Sequence, residues 1–290
     1  MNTESRITLA DGRQLAYAEF GAAGGHPVLY FHGSPSSRLE PLLIGDDRLS
    51  RLGLRVIAPD RPGMGGSDFQ PGRGFSDWPR DVSALADALG LGQFSALGNS
   101  GGGPYVGSCA ARIPERLTSA VIVSGGWRMD WPEARDNMPF VNRLAMTLAG
   151  KAPPVLRLLL KAMAATAGGE REKELAQLKK RVPAADYAAF AEPGRVEAFG
   201  QAMRECVRQG TKGAAWDMGL YVREFDFRMD EIKMPLKLFH GGRDANAPVA
   251  LARRVASEVP SARLVIYEDE AHLSTLCNHA DEIARALVGE

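Results

Sequence analysis

The sequence predicts an α/β fold: a mostly parallel sheet flanked by helices and interrupted once by an all-helical insertion. Three observations carry this expectation. Short continuous apolar runs bounded by Gly and Pro, such as residues 27–31 and 54–58, suit strands buried on both faces, as in a parallel sheet. These runs alternate with helical patterns, which calls for right-handed crossovers. Between residues 127 and 226 the alternation stops, and helical periodicity continues without a convincing strand.

In chain order, two strand-like segments at 7–9 and 14–20 flank Asp11-Gly12, a hairpin turn signal. The run 27–31 ends at His32-Gly33, and the run 54–58 ends at Pro59-Asp60-Arg61-Pro62-Gly63. Residues 78–89 follow as a helix with Val82, Leu85 and Leu89 on one face. Two further buried strands are expected at 94–97 and 117–123, after which Ser124-Gly125-Gly126 opens the insertion. Within it, Leu156, Leu159, Leu160 and Met163 share one helical face, and Val196, Phe199, Met203 and Val207 form another apolar stripe. The charged run 169–181 reads as a solvated helix face. The sheet resumes at 236–239 and 263–267, and a final helix covers about 280–287. The expected division is a core made of residues 1–126 and 227–290, with 127–226 as a helical cap.

A chain of 290 residues can bury a large core. Lys+Arg and Asp+Glu balance at 35 each, so strong attraction to nucleic acid or to an anionic membrane is not expected. The start, Met1-Asn2-Thr3-Glu4-Ser5-Arg6, lacks the basic-then-apolar pattern of a signal peptide, and no apolar stretch reaches spanning length. A cytoplasmic location is the resulting expectation. Cys109, Cys206 and Cys277 are odd in number and far apart, which fits neither a disulfide framework nor a zinc site. The partner expected is a small-molecule substrate. Nothing in the sequence encodes an oligomeric state.

The chemistry concentrates at Gly98-Asn99-Ser100-Gly101-Gly102, between a buried strand and a helix. A serine in this context sits on a strained turn that lifts its hydroxyl clear of the backbone. A G-x-S-x-G arises by chance in roughly one chain in five of this glycine content, so partners are needed to give it weight. A serine hydroxyl requires a base, and the base requires a group that holds its ring. Of five histidines, only His272 lies in a loop after a late strand on the same sheet edge as Ser100. Asp244, one strand earlier, is the matching acid, and Asp130 is the runner-up. The order Ser, Asp, His then follows the chain. Oxyanion donors are expected from the N–H of Gly101, at a helix start, and of Ser34, in the loop His32-Gly33-Ser34-Pro35-Ser36. The Ser34 hydroxyl is a possible further donor, and His32 is expected to brace this loop. Trp127, Trp131, Met138 and Phe140 are candidate pocket residues where cap would meet core. Any of Glu268, Asp269 or Glu270 that faced His272 would favour its charged form.

Taken together, His32-Gly33-Ser34-Pro35, Asp60-Arg61-Pro62-Gly63-Met64-Gly65-Gly66-Ser67, Gly98 to Gly102, Gly242-Arg243-Asp244 and Ala271-His272 resemble the α/β-hydrolase fold superfamily. The resemblance implies an eight-stranded, mostly parallel sheet with the cap inserted after the sixth strand, and no cofactor. One departure is Ala271, where relatives commonly carry Gly before the histidine. Relatives that open epoxides or displace halide use a carboxylate nucleophile, whereas position 100 is Ser. The resemblance therefore implies acyl transfer to water, with an ester of a small to medium hydrophobic substrate as the expected case. Carbon–carbon bond hydrolases and aminopeptidases share the architecture and remain alternatives. In the latter, Glu170, Glu172 or Glu174 would hold an amine. A non-catalytic ligand-binding protein is a further alternative, one that commonly lacks a triad member.

Overall fold

The computed structural model describes residues 1–134, 138–167 and 169–289. Its eight strands form one sheet: β1 (Asn2–Thr8), β2 (Gln14–Gly21), β3 (His26–Phe31), β4 (Leu54–Pro59), β5 (Phe94–Asn99), β6 (Leu117–Val123), β7 (Leu236–Gly241) and β8 (Ala262–Tyr267). Their order is β1-β2-β4-β3-β5-β6-β7-β8. β2 pairs antiparallel with β1 and with β4, and every other pairing is parallel. The fold class expected from the sequence is the one that forms.

The continuous apolar runs are explained by burial on both faces. In β3, Val28 and Tyr30 join the core on one side of the sheet, while Leu29 and Phe31 join the core on the other. Side chains alternate along a strand, so a strand covered twice must be apolar at every position. One face is covered by α1 (Asp46–Arg51), α11 (His272–Asn278) and α12 (Ala280–Val288), the other by α2 (Trp78–Ala88), α3 (Gly103–Arg112) and α10 (Val249–Glu258). β1 extends further toward the N-terminus than the segment 7–9 suggested. It is an edge strand whose residues alternate between exposed and half-buried, so its sequence carries no apolar run.

Among the described residues, six α-helices lie between β6 and β7: α4 (Phe140–Lys151), α5 (Pro153–Thr166), α6 (Arg171–Leu178), α7 (Ala184–Ala191), α8 (Arg195–Cys206) and α9 (Lys212–Tyr221). Among the described residues no strand occurs in this stretch. The stripe on α5 is apolar because Leu156 and Leu160 pack with Ala214 and Met218 of α9. Phe190 of α7 and Val196 of α8 pack instead on Leu43, Leu273 and Cys277 of the core. The insertion is thus seated on the sheet edge from which the loops after β3, β5, β6 and β7 emerge. α6 buries no residue, as its charge run predicts.

Candidate active site

Ser100 stands at the junction of β5 with a short 3-10 turn, Ser100–Gly102, that leads into α3. Its φ of 51° lies in the left-handed region, a conformation that costs a non-glycine residue about 1–3 kcal/mol. The flanking glycines make the turn possible. A Cβ on Gly102 would strike the Phe31 carbonyl of β3, and one on Gly98 would strike the Gly102 carbonyl and Val106.

His272 Nε2 lies 2.9 Å from Ser100 Oγ, and His272 Nδ1 lies 2.7 Å from Asp244 Oδ2. A carboxylate can only accept, so the ring proton sits on Nδ1, and Nε2 is left to accept from the serine. The other Asp244 oxygen accepts from the N–H groups of Asn246 (2.8 Å) and Ala247 (2.9 Å), which fixes the carboxylate. Behind it, buried His240 donates to the Ala247 carbonyl (2.7 Å) and is kept neutral by burial. Burial alone would lower the proton affinity of His272. The Asp244 carboxylate and its hydrogen bond, with Asp186 and Glu40, outweigh that and hold the imidazole above the ordinary histidine value of 6.5. Burial likewise works to raise Asp244, and His272 more than offsets it, leaving the carboxyl below its ordinary value. Ala271 has φ −124° and ψ −150°, extended backbone that any residue adopts, so Ala is accommodated there.

The Gly101 and Ser34 backbones meet in the wall of one cavity, where a Cβ added to Gly101 would lie 3.0 Å from Ser34 N. Among the described residues the Ser34 N–H has no acceptor. The Ser34 hydroxyl is turned elsewhere: it donates to Asp217 of α9 at 2.8 Å and is not a donor toward the cavity. His32 is fully buried, with Nδ1 against the Gly33 carbonyl (2.8 Å), and braces the loop.

The cavity, about 280 Å³, opens over Ser100 and His272 between the core and the insertion. Met138 lines it, together with Met129, Met146, Met163, Met203 and Met218. The other three candidate pocket residues do not. Trp127 is buried in the main core, where Gly107 and Gly125 leave room for its indole beside Phe225. Trp131 lies over a separate surface depression, with the Arg254 guanidinium 3.7 Å from its ring centre. Phe140 is 69% exposed, because α4 directs Val141, Asn142, Ala145 and Met146 to the cavity and leaves Phe140 on its outer side. Asp130 is engaged by Arg128 at 2.7 and 2.6 Å and takes no part in the serine–histidine line. Glu268, Asp269 and Glu270 make no hydrogen bond to the His272 ring. Asp269 pairs with Arg243, and Glu270 accepts from Asn278. Glu170 and Glu174 lie at the solvated end of α6, where Glu170 pairs with Lys173.

Several residues of the site were not singled out from the sequence. Asp217 is fully buried and accepts from Arg61 (3.1 and 3.0 Å), Arg73 (2.9 Å), Ser34 and Tyr105. Burial would raise its proton affinity, but Arg61 and then Arg73 outweigh this and hold it well below the usual carboxylate range. Glu40 accepts from the Gly33 N–H, Tyr30 OH (2.8 Å) and Asn99 Nδ2 (2.9 Å), which locks the loop after β3 to the strand that carries Ser100. Ser124, also left-handed at φ 49°, donates to the His272 carbonyl at 3.0 Å. His272 itself is the first residue of α11, not part of a loop. The three cysteines are free and buried; burial pushes the thiols of Cys109 and Cys206 up, and that of Cys277 up to about 11.

A family model described as alpha/beta hydrolase fold matches residues 26–276. A non-heme chloroperoxidase of Streptomyces lividans is 31% identical over 281 residues, 92% of each chain. A 2-hydroxymuconate semialdehyde hydrolase of Pseudomonas putida is 29% identical over 266 residues, 90% of this chain and 85% of that one. Among solved structures, a thermophilic esterase from Thermogutta terrifontis shares the fold with a TM-score of 0.65 at 23% identity, over 98% of this chain and 97% of that chain. The sheet topology, the strained serine turn and the family match over most of the sequence lead to one conclusion: this chain belongs to the alpha/beta hydrolase fold family and is an enzyme of the hydrolase type.

Proposed function

We propose that the protein is a serine hydrolase that cleaves a carboxylic ester of a small to medium hydrophobic substrate through an acyl-enzyme. The observation that carries this reading is the Ser100–His272–Asp244 line opening into a methionine-lined cavity. His272 takes the Ser100 proton as the hydroxyl attacks the ester carbonyl. The Gly101 and Ser34 N–H groups receive the developing oxyanion, and each such donor is worth about 3–4 kcal/mol of barrier. His272 then protonates the departing alcohol, and water repeats the sequence on the acyl-enzyme. Asp244 holds the ring in its tautomer and stabilises the imidazolium. Residues 127–226 act as a cap that shapes the acyl site.

Cavity charge favours esters of neutral acids. None of the described residues lining it is Lys or Arg, whereas Glu40 and Asp186 both do. An acidic diketone, the substrate type of carbon–carbon bond hydrolysis on this fold, would meet two carboxylates and no cation. At about 280 Å³ the space lies just below the usual span of ligand pockets, roughly 300–1,000 Å³, which suits a small to medium acyl group.

The test is a panel of p-nitrophenyl esters, an aminoacyl anilide and a vinylogous 1,5-diketone acid, run on the wild type and on Ser100→Ala. Turnover of the neutral esters that disappears in Ser100→Ala supports the reading. Ester turnover that survives the substitution, or turnover of the diketone acid alone, overturns it.

A further inference from the structure

Asp186 belongs to α7 of the helical insertion, yet it is 3% exposed and its carboxylate reaches the core. One oxygen accepts from the His272 N–H (3.2 Å), and the other from the N–H groups of Leu273 (2.8 Å) and Ser274 (2.9 Å). These are the opening amides of α11, which have no partner within the helix. The Ala271 N–H is taken by Ser274 Oγ at 2.8 Å, so the whole turn that carries the imidazole is satisfied by side chains. An aspartate ordinarily caps the helix that follows it directly in the chain. Here the cap is supplied across 86 residues of sequence by a helix of the insertion that packs on α11.

We propose that Asp186 is a positioning residue: it ties His272 to the helical insertion, so that the base stands in line with Ser100 only while α7 is docked on α11. This rests on the reading of Ser100 and His272 as nucleophile and base. The physical argument has two parts. Three charge-assisted hydrogen bonds fix the backbone from which the imidazole projects, and a shift of about 1 Å in such a group costs on the order of 10²-fold in rate. Asp186 also brings a carboxylate beside a ring that must become an imidazolium, where the N-terminal end of α11 would otherwise oppose that charge. Burial and Asp244 raise this carboxyl above its ordinary value, while the Ser274 and Leu273 amides and His272 favour its charged form. The charged and titratable groups around the ring are Asp244 from the loop after β7, Asp186 from α7, Glu40 from the turn after β3, and His240 behind Asp244. Of the three carboxylates, Asp186 alone comes from the insertion.

The experiment compares wild type with Asp186→Asn, which keeps the volume and removes the charge, and with Asp186→Glu, which keeps the charge. The first readout is the second-order rate of Ser100 labelling by a fluorophosphonate as a function of pH. The second is kcat and KM on the best p-nitrophenyl ester. For Asp186→Asn the expected result is a drop of about ten- to a hundredfold in labelling rate and kcat. KM changes little, and the acidic limb moves to lower pH. Asp186→Glu is expected to return the limb toward the wild-type position. A role limited to folding would lower the thermal midpoint without moving that limb. If Asp186→Asn does not fold, Asp186→Ser, an uncharged helix cap, takes its place. An Asn or Ser variant with wild-type labelling rate and pH profile overturns the proposal, whereas a wild type that is not labelled at Ser100 overturns the serine-hydrolase reading beneath it.

Discussion

His272 can accept the Ser100 proton only when its ring is neutral, so the charge around it sets the pH at which the proposed reaction switches on. Asp244, Asp186 and Glu40 favour the imidazolium and hold its pKa above 6.5. The acidic limb of kcat/KM on a neutral p-nitrophenyl ester is therefore expected above pH 6.5, with activity lost as pH falls through it. Asp244→Asn removes the nearest charge and releases the tautomer, and kcat is expected to fall by roughly 10⁴-fold. A limb at or below 6.5, or an Asp244→Asn enzyme within tenfold of wild type, would contradict this account of the ring. The line of Ser100, Asp244 and His272 was legible in the sequence because a serine between glycines, an aspartate and one of only five histidines each follow a strand at the same sheet edge, in the order Ser, Asp, His. The pocket was less so. Trp127 and Trp131 carry the right chemistry in the right segment, but sequence does not say that Gly107 and Gly125 hollow out a core site for one, or that Arg254 covers the other. Met138 reaches the cavity and Phe140, two residues on, does not, a distinction set by the phase at which α4 begins.

At the scale of elements, α9 fastens the insertion to the loop that offers the Ser34 N–H. Asp217 joins buried Arg61 and Arg73 and the half-buried Ser34 hydroxyl in one cluster, and Tyr221, at the end of the same helix, donates to the Gly101 carbonyl at 2.5 Å. Arg61 also donates to the His32 and Gly33 carbonyls, so one side chain links α9 to that loop twice over. Replacing Asp217 by Ala strands two buried guanidinium groups, and removing one partner of such a cluster costs about 3–5 kcal/mol. Urea denaturation of Asp217→Ala should show a loss of that size together with reduced kcat, since the loop proposed to bind the oxyanion loses its anchor. A loss below about 1 kcal/mol would mean that water reaches the arginines and that the cluster does not hold the insertion. The sign with pH is equally defined. Because the folded-state pKa of Asp217 is depressed, its contribution is fully present above the unfolded carboxylate value and is lost as pH falls toward the folded one. None of this could be read in advance. α9 has buried residues all round, so it shows no amphipathic stripe, and Asp217 meets Arg61 across 156 residues. The same limit hid α11 as a helix, whose first turn is satisfied by an aspartate 86 residues upstream.

In the whole molecule, the sheet edge carries the groups proposed to react and the helical insertion supplies most of the methionine walls of the cavity. Ser34 lies in the loop after β3, Ser100 and Gly101 in the turn after β5 and His272 at the start of α11, all at one sheet edge, while Met146, Met163, Met203 and Met218 come from α4, α5, α8 and α9. Methionine is unbranched and adaptable, so these walls should accept differing acyl shapes but still set a limit on length. Across p-nitrophenyl acetate, butyrate, hexanoate, decanoate and palmitate, kcat/KM should rise to a maximum at medium length and then fall, as the closed end of a cavity of about 280 Å³ is reached. Met163, half-buried on α5 and away from the reacting atoms, offers a way to move that limit without touching the chemistry. Met163→Trp should leave acetate turnover within about twofold and lower hexanoate turnover by tenfold or more, since single-methylene discrimination in an apolar pocket is worth roughly 10–200-fold. Steady-state kinetics on the five esters measure this directly. If the substitution depresses every ester equally, α5 is acting through the stability of the insertion. If it changes none, the acyl chain leaves by another route, and the cavity assigned to it is not the acyl site.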